Sequence, residues 1–440
     1  MNFEQRKLAL VKTAINLGDE AFHQKLISAY SQDTGFLKKN VKLREVTTPI
    51  AILNEIGKET HLTRAYGVDL QQLQSLGKVA VLLPRNGVNL CLAKSVGASF
   101  LAGNETIIKL PRKLNQSGKY YRELVLNNLP DVSFAPDEIS SQEFLKNCIT
   151  DPEIKAVVIY GDDHWIWGYK NLVRRSNTKL IFEGPGKDPL IVMEDADIDM
   201  AVNDAVKGGL LNGGQSCSAV ERFFVHESLM DEFCTKLTEQ LIRLKIGSPE
   251  SEDTDIGPIL SASVLERLER QVKEAQAAGA KVLMGGNIQK IGSTDTYAFP
   301  PTIITGCTLN MKIIKEENFG PVFPIISFSS EYDLLPKVDN CDYGLNASVY
   351  GTLSFEFREY LINSHRSVFF DCSVFNSGNR DSQLIDGGYK NSGFIWKWHE
   401  DRFLQIEGKR MLLKELSQQE SQAELQDVQT LEVETMIAQD

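Results

Sequence analysis

Apolar residues recur through the first part of the chain at near-helical spacing, as at Leu8, Leu10, Val11, Ile15 and Leu17. This predicts a mainly helical stretch from about Asn2 to Leu76. At Lys78 the pattern changes. Residues 78–83, Lys-Val-Ala-Val-Leu-Leu, form a short aliphatic and β-branched run closed by Pro84, which predicts a buried strand opening into the loop 84–89. A helix through Cys91 to Leu101 and a second strand at 106–110 follow. Further on the spacing predicts helices within 116–129 and up to Cys148, a strand at 156–160, a helix to about Arg175 and a strand at 179–182. Strand, helix, strand with short Gly/Pro connections predicts a parallel sheet wrapped by helices. Such sheets bind ligands at the carboxyl ends of their strands, where Asn86 and Lys109 fall.

The same alternation continues. The acidic run 194–199 predicts a helix start, since Asp side chains cap free N–H groups and suit the positive end of the helix dipole. That helix is expected to run to Gly213-Gly214, so that Cys217 is delivered on a turn. Strands are predicted at 222–225, 282–284, 297–304, 323–328, 346–350 and 368–370, with a long amphipathic helix over 262–278. Residues 417–440 are rich in Gln and Glu and hold no Lys or Arg, which leaves a frayed helix and a disordered tail both open.

Size allows more than one core: 440 residues, 42% hydrophobic, predict at least two domains. The net charge of -12 argues against a nucleic-acid binder. The 7 cysteines are odd in number and lack a Cys-x-x-Cys pair, which argues against a disulfide scaffold or zinc cluster and for a reducing, cytoplasmic setting. Neither a signal peptide nor a bilayer-spanning apolar run is expected, and no metal site is implied, because the 6 histidines stand apart from acids and cysteines. His23 and His61 read as ordinary surface or packed side chains.

The stretch 182–217 carries the chemistry. It places a carboxylate, Glu183, and a thiol, Cys217 in Gly-Gln-Ser-Cys-Ser, on either side of one predicted helix. A thiol nucleophile with a base able to activate water suits acyl-thiol chemistry. Around it stand Pro-Arg-Asn86, Glu183-x-x-Gly-Lys187-x-Pro, Gly-Gln-x-Cys217, Asp-x-Gly-Pro258, Glu317-x-Phe319-Gly-Pro, Tyr-Gly-Leu-x-Ala-Ser348 and Gly-Tyr-Lys-x-Ser-Gly393, in that order. With these motifs, from about Val79 to Arg410, the chain resembles the aldehyde dehydrogenase superfamily.

The resemblance implies an α/β fold of two Rossmann-like parallel-sheet domains with a small oligomerisation element. It implies a cofactor-binding domain over 1–184 (helical over 1–76), a catalytic domain over 185–395, a return and oligomerisation segment over 396–416 and an acidic tail over 417–440. The implied reaction oxidises an aldehyde with NAD or NADP through a Cys217 thioester, with Asn86 and the Cys217 N–H holding the oxyanion and Glu183 activating water. Lys109 and Glu317 are then expected at ribose hydroxyls and Phe319 near the nicotinamide ribose. The implied partners are a small-molecule aldehyde and a second copy of the chain, as a homodimer or higher homo-oligomer, with no nucleic acid and no membrane. Alternatives are a reductase of acyl-CoA or carrier-bound acyl groups working through the same cysteine, and a binding or scaffold protein that has kept the fold.

The chain departs from the family in several places. After the third strand the family has Gly-Ser-Thr-x-x-Gly at the cofactor phosphates; this chain has Gly161-Asp-Asp-His-Trp-Ile-Trp-Gly168, which brings two carboxylates to an anion site unless they turn to solvent. Arg112 stands where NAD-using relatives place a Glu, and an Arg there can pair with a 2′-phosphate, which brings NADP in beside NAD. Pro185 replaces a glycine and stiffens the turn after Glu183. The chain before Asn86 is short, which is expected to trim the dimerisation hairpin. The substrate pocket is expected near Asn89, His164 to Trp167 and Phe375 to Gln383.

Overall fold

The computed structural model describes residues 1–56, 74–293, 295–372, 385–386, 388–399, 401–407, 410–411 and 414–415. The predicted pocket segment Phe375 to Gln383, the tail 417–440 and His61 lie outside them.

The N-terminal helices Phe3–Gly18 and Glu20–Thr34 form where the sequence supplies both spacing and caps. Asn2 and Gln5 make a reciprocal capping box, Asp19 caps the second helix, and Gly35 ends it in the left-handed conformation at φ 78°. A third helical stretch follows through Lys38–Val41, a π-helical turn Lys42–Thr47 and Thr48–Glu55. π-turns disturb regular side-chain spacing and are frequent at functional sites.

Fourteen strands build two seven-stranded sheets. In chain order they are β1 (Lys78–Leu82), β2 (Glu105–Lys109), β3 (Val132–Phe134), β4 (Ile154–Tyr160), β5 (Lys179–Glu183), β6 (Asp188–Val192), β7 (Val220–His226), β8 (Lys281–Met284), β9 (Thr302–Thr305), β10 (Val322–Phe328), β11 (Asn346–Tyr350), β12 (Ser367–Phe370), β13 (Gly393–His399) and β14 (Arg402–Ile406). The first sheet runs β14-β13-β5-β4-β1-β2-β3 and the second β12-β11-β6-β7-β10-β9-β8. β1 to β5 are parallel, with Leu82 beside Lys109 and Tyr160 beside Glu183, so their carboxyl ends share one edge. β6, β7, β10, β11 and β12 are likewise parallel. Their inner residues are continuous apolar runs, as at Leu190, Ile191 and Val192, because helices cover both faces.

The sequence pattern missed β3, β6, β13 and β14. β6 begins Asp-Pro beside the turn 184–187 and reads as loop chemistry, yet all five of its residues are buried. The predicted boundary at residue 395 falls inside β13, which pairs antiparallel with β5 (Gly393 with Glu183), so this segment returns to the first sheet. Its Phe394 and Trp396 are buried there, their rings stacked at 4.5 Å. The helix expected up to Gly214 is Ile198–Gly209, N-capped by Asp197 as the acidic run predicted. It stops early because Asn212, Gly213 and Gly214 all take positive φ, which no helix continues through.

Among the described residues no helix is long and apolar enough to cross a membrane. All 7 cysteines are free thiols.

Candidate active site

The two sheets contribute opposite ends to one cleft of about 1160 Å³. From the first come residues just past the carboxyl ends of its parallel strands: Asn86 after β1, Arg112 after β2, Gly161 after β4 and Glu183 closing β5. From the second come residues just ahead of the amino ends: Cys217 before β7, Glu317 and Phe319 before β10, and Arg366 before β12.

Cys217 is partly buried, and its N–H has no hydrogen-bond partner among the described residues. The Asn86 amide makes only a long contact, 3.5 Å, to the Gln215 carbonyl. Both donors are therefore open to a developing oxyanion. The backbone before Lys187 presses against the cysteine: a Cβ on Gly186 would stand 1.9 Å from the Cys217 carbonyl oxygen. Only glycine permits that approach. Ser392, from the Gly-Tyr-Lys-x-Ser-Gly motif, donates to the Pro185 carbonyl at 2.6 Å and accepts from Gly344 N at 3.1 Å, pinning the turn after Glu183.

Burial pushes the Cys217 thiol up to about 11, and the Glu183 charge adds to this; Arg44 and Arg366 pull the other way. Glu183 lies 3.4 Å from Arg366, with both side chains nearly buried, and Arg366 also donates to Asn346 Oδ1 at 3.0 Å. Asn346 in turn bonds Asp188 through N and Nδ2, at 3.0 and 2.6 Å, where burial raises the Asp188 carboxyl to about 7. The general-base candidate is thus one end of a chain Glu183–Arg366–Asn346–Asp188. Sequence reasoning missed Arg366 because it stands 183 residues away and belongs to no motif quoted above.

The motif lysine has a structural task. Lys187, fully buried, bonds Glu221 at 3.0 Å and Asn318 Oδ1 at 2.7 Å. Glu221 also accepts from the N–H groups of Asn318 and Phe319, at 2.7 and 2.8 Å, which holds Phe319 at its positive φ of 57°. Glu317 enters the cleft from that loop. Burial, and then the Glu221 charge, raise its carboxyl well above the usual range, and its buried Oε1 has no partner. A buried carboxyl with an unpartnered oxygen can accept from a ribose hydroxyl, so the residues present suit a dinucleotide at this end.

The phosphate end fits less well. Asp162 lines the cleft with its side chain 44% exposed, while Asp163 turns inward, 3.4 Å from the Tyr343 hydroxyl, and burial raises its carboxyl. Trp165 packs over Gly161, 3.4 Å from where a Cβ would stand. His164 joins the two aspartates, the three side chains placing ligand atoms within 4.8 Å of one another, so the expectation that the histidines stand apart from the acids fails at this turn. Arg112 is exposed at the cleft rim.

Three expected positions differ from the sequence reading. Lys109 is 1% exposed and donates its ammonium to the carbonyls of Pro136 and Asp137, at 3.1 and 3.3 Å, instead of lining the cleft. Asn89 is buried on Glu45, donating its N–H to the carboxylate at 2.8 Å. Trp167 packs on Phe394 and Trp396, at 4.9 and 5.5 Å, as part of the β13 cluster. Of the aromatic residues in the expected pocket segments, Trp165 alone among the described ones lines the cleft.

A family model described as the aldehyde dehydrogenase family matches residues 1–405. The chain belongs to the aldehyde dehydrogenase family. It is 31% identical over 283 residues to lactaldehyde dehydrogenase of Escherichia coli (strain K12), an alignment covering 63% of this chain and 58% of that protein. It is 30% identical over 328 residues to a succinate-semialdehyde dehydrogenase [NADP(+)] of Mycobacterium leprae, covering 74% and 70%. Betaine aldehyde dehydrogenase of Staphylococcus aureus, solved with NAD+, shares its fold at a TM-score of 0.77 and 20% identity, covering 94% of this chain and 84% of that one. The chain thus spans about three fifths of the lactaldehyde enzyme. The aldehyde dehydrogenase cleft described above lies wholly within the matched residues.

Proposed function

We propose that the chain oxidises an aldehyde to a carboxylic acid with NAD or NADP. The observation that carries this is the convergence of Cys217, its N–H with no partner among the described residues, the weakly held Asn86 amide and Glu183 on one cleft. The Cys217 sulfur, as thiolate, attacks the aldehyde carbon, and its S–C bond forms as the carbonyl π pair moves to oxygen. The Asn86 amide and Cys217 N–H receive that oxyanion. As the oxyanion pair re-forms the carbonyl, the C–H bond of that carbon breaks and its electron pair leaves as hydride, giving a Cys217 thioester; a nicotinamide held at the Glu317 and Phe319 end would be the acceptor. Glu183 then takes a proton from water, whose oxygen adds to the thioester, and the thiolate leaves to regenerate Cys217.

Glu317 and Phe319 would hold the ribose side, and Arg112 a 2′-phosphate where one is present. The names of the relatives support both cofactors and small aldehydes as substrates. Free thiols throughout fit a reducing compartment, and we place the chain in the cytoplasm. The strand β14 stands at the edge of its sheet with no second neighbour among the described residues, which supports pairing with a second copy as a homo-oligomer.

The Arg366 contact favours a second reading. With one Glu183 oxygen turned to a guanidinium, only the other is left to direct water, which would lengthen the thioester's life and suit transfer to a thiol. The test is NAD(P)H formation across an aldehyde panel, with and without coenzyme A. Aldehyde-dependent NAD(P)H that Cys217→Ala lowers by about 10⁴-fold or more supports the reading; no turnover by folded protein contradicts it, and strict dependence on coenzyme A selects acyl transfer.

A further inference from the structure

The cleft is basic in a chain that is acidic. Arg44, Arg85, Lys94, Arg112, Arg267 and Arg366 line it, although the whole chain carries 59 Asp and Glu against 47 Lys and Arg. Most of these cations have an assigned task. Arg366 holds Glu183 and Asn346, Arg267 donates to the Asn318 carbonyl at 3.2 Å, Arg85 donates to the Asp33 carbonyl, and Arg112 stands at the cofactor rim near Lys109.

Arg44 is different. It comes from the π-helical turn Lys42–Thr47 and makes no hydrogen bond or ion pair among the described residues; its Nε, like those of Arg85 and Arg267, is buried without a partner. The neighbouring Glu45 makes no ion pair with it: one oxygen of that carboxyl, Oε2, accepts from Asn89 N and the Tyr121 hydroxyl, at 2.8 and 2.9 Å, and burial raises the carboxyl above its usual range, against the charged form. Its place is specific. A Cβ on Gly87 would stand 3.1 Å from Arg44 Nη2 and 3.8 Å from Nε, so the guanidinium lies against the backbone of the residue after Asn86. It is also close enough to Cys217 and Cys91 to act on both thiols electrostatically. Thr47 and Thr48, one helical turn on, line the same cleft with hydroxyls.

A half-buried guanidinium with no ion-pair partner among the described residues is costly unless a ligand supplies one, and its planar fork suits a carboxylate. We propose that Arg44 is the anion-binding residue at the substrate end of the cleft, selecting small aldehydes that carry a carboxylate a few carbons from the aldehyde carbon. This rests on aldehyde oxidation at Cys217 and adds the substrate class. The anion is the substrate's and not a cofactor phosphate, because Arg44 stands with Gly87 and Cys91 while Glu317, Phe319 and Arg112 mark the dinucleotide end.

The test compares 4-oxobutanoate with butanal, two aldehydes of equal carbon count, on the full chain and its Arg44→Met and Arg44→Lys variants. Wild type is expected to prefer the carboxylated aldehyde in kcat/KM by about 100-fold. Arg44→Met is expected to erase most of that preference through KM, and Arg44→Lys to restore part of it. Calorimetric titration with succinate needs no turnover, so it separates this inference from aldehyde oxidation itself: binding is expected to weaken about 10-fold or more in Arg44→Met. No preference in wild type, or a preference and a succinate affinity that survive Arg44→Met, overturns the proposal. Titration with adenosine 2′,5′-bisphosphate checks the other anion source. Binding that Arg44→Met abolishes would place the arginine at the cofactor and overturn the proposal as well.

Discussion

The nucleophile end and the phosphate end of the cleft are built on opposite principles. At Cys217 the groups that would receive charge are left open: an amide at a long contact, an unbonded N–H, and cations on two sides. At Gly161 the turn is closed in, with Trp165 over the glycine, Asp163 folded onto Tyr343, and Asp162 lending a negative charge where a phosphate would pass. The first end leaves donors open for an oxyanion, although burial and Glu183 disfavour the resting thiolate, while the second closes on carboxylates. A shared fold therefore fixes where the two halves of a reaction meet, while a few side chains at strand ends decide how readily each is served.

The contrast can be sharpened by experiment, beginning with the largest effect. Cys217 lies below its raised value of about 11 throughout the usual range, so each pH unit multiplies the thiolate about tenfold. Alkylation of the protein without cofactor by iodoacetamide, followed at Cys217 by peptide mass spectrometry, is expected to rise roughly 10³-fold from pH 7 to pH 10. A plateau below pH 9 would show a thiolate stabilised by some interaction that the geometry lacks.

Asn86→Ala tests whether the open donors serve the oxyanion. Its kcat is expected to fall about 10²–10³-fold with little change in KM, since the ground-state hydrogen bond of the Asn86 amide, at 3.5 Å, is long and weak. The smallest effect belongs to the phosphate end. Asp162→Asn removes a partly exposed charge, and cofactor binding is expected to tighten about 3- to 10-fold at low salt, less at high salt. Unchanged affinity would mean that the phosphates do not pass this turn.

The legible part of the molecule was the part written locally. β1, β2, β4 and β5 announce themselves as short apolar runs closed by Pro or Gly, and the cap at Asp197 is a helix start whose mechanism lies in one residue. Cys217, Glu183, Asn86, Glu317 and Phe319 all reach the cleft because strand ends dictate it. β6 was hidden by its polar opening, and β13 and β14 by a chain that leaves the second sheet and returns to the first, a pairing no local pattern encodes. Lys109 shows a different limit. Its strand-end place was right, but its ammonium is taken by two carbonyls from the loop after β3, a competition that only the folded chain reveals. Arg44 and Arg366 were silent for the same reason: each acquires its role from residues far along the chain.

The central claim is that Cys217 carries the acyl group and Glu183 directs water to it. The most direct measurement is intact-protein mass spectrometry of Glu183→Gln mixed with an aldehyde substrate and NAD(P)+. One acyl group on Cys217, formed with one equivalent of NAD(P)H and persisting for minutes while wild type clears it, is the predicted result. Turnover at the wild-type rate by Glu183→Gln, with Cys217 never modified, would contradict the account.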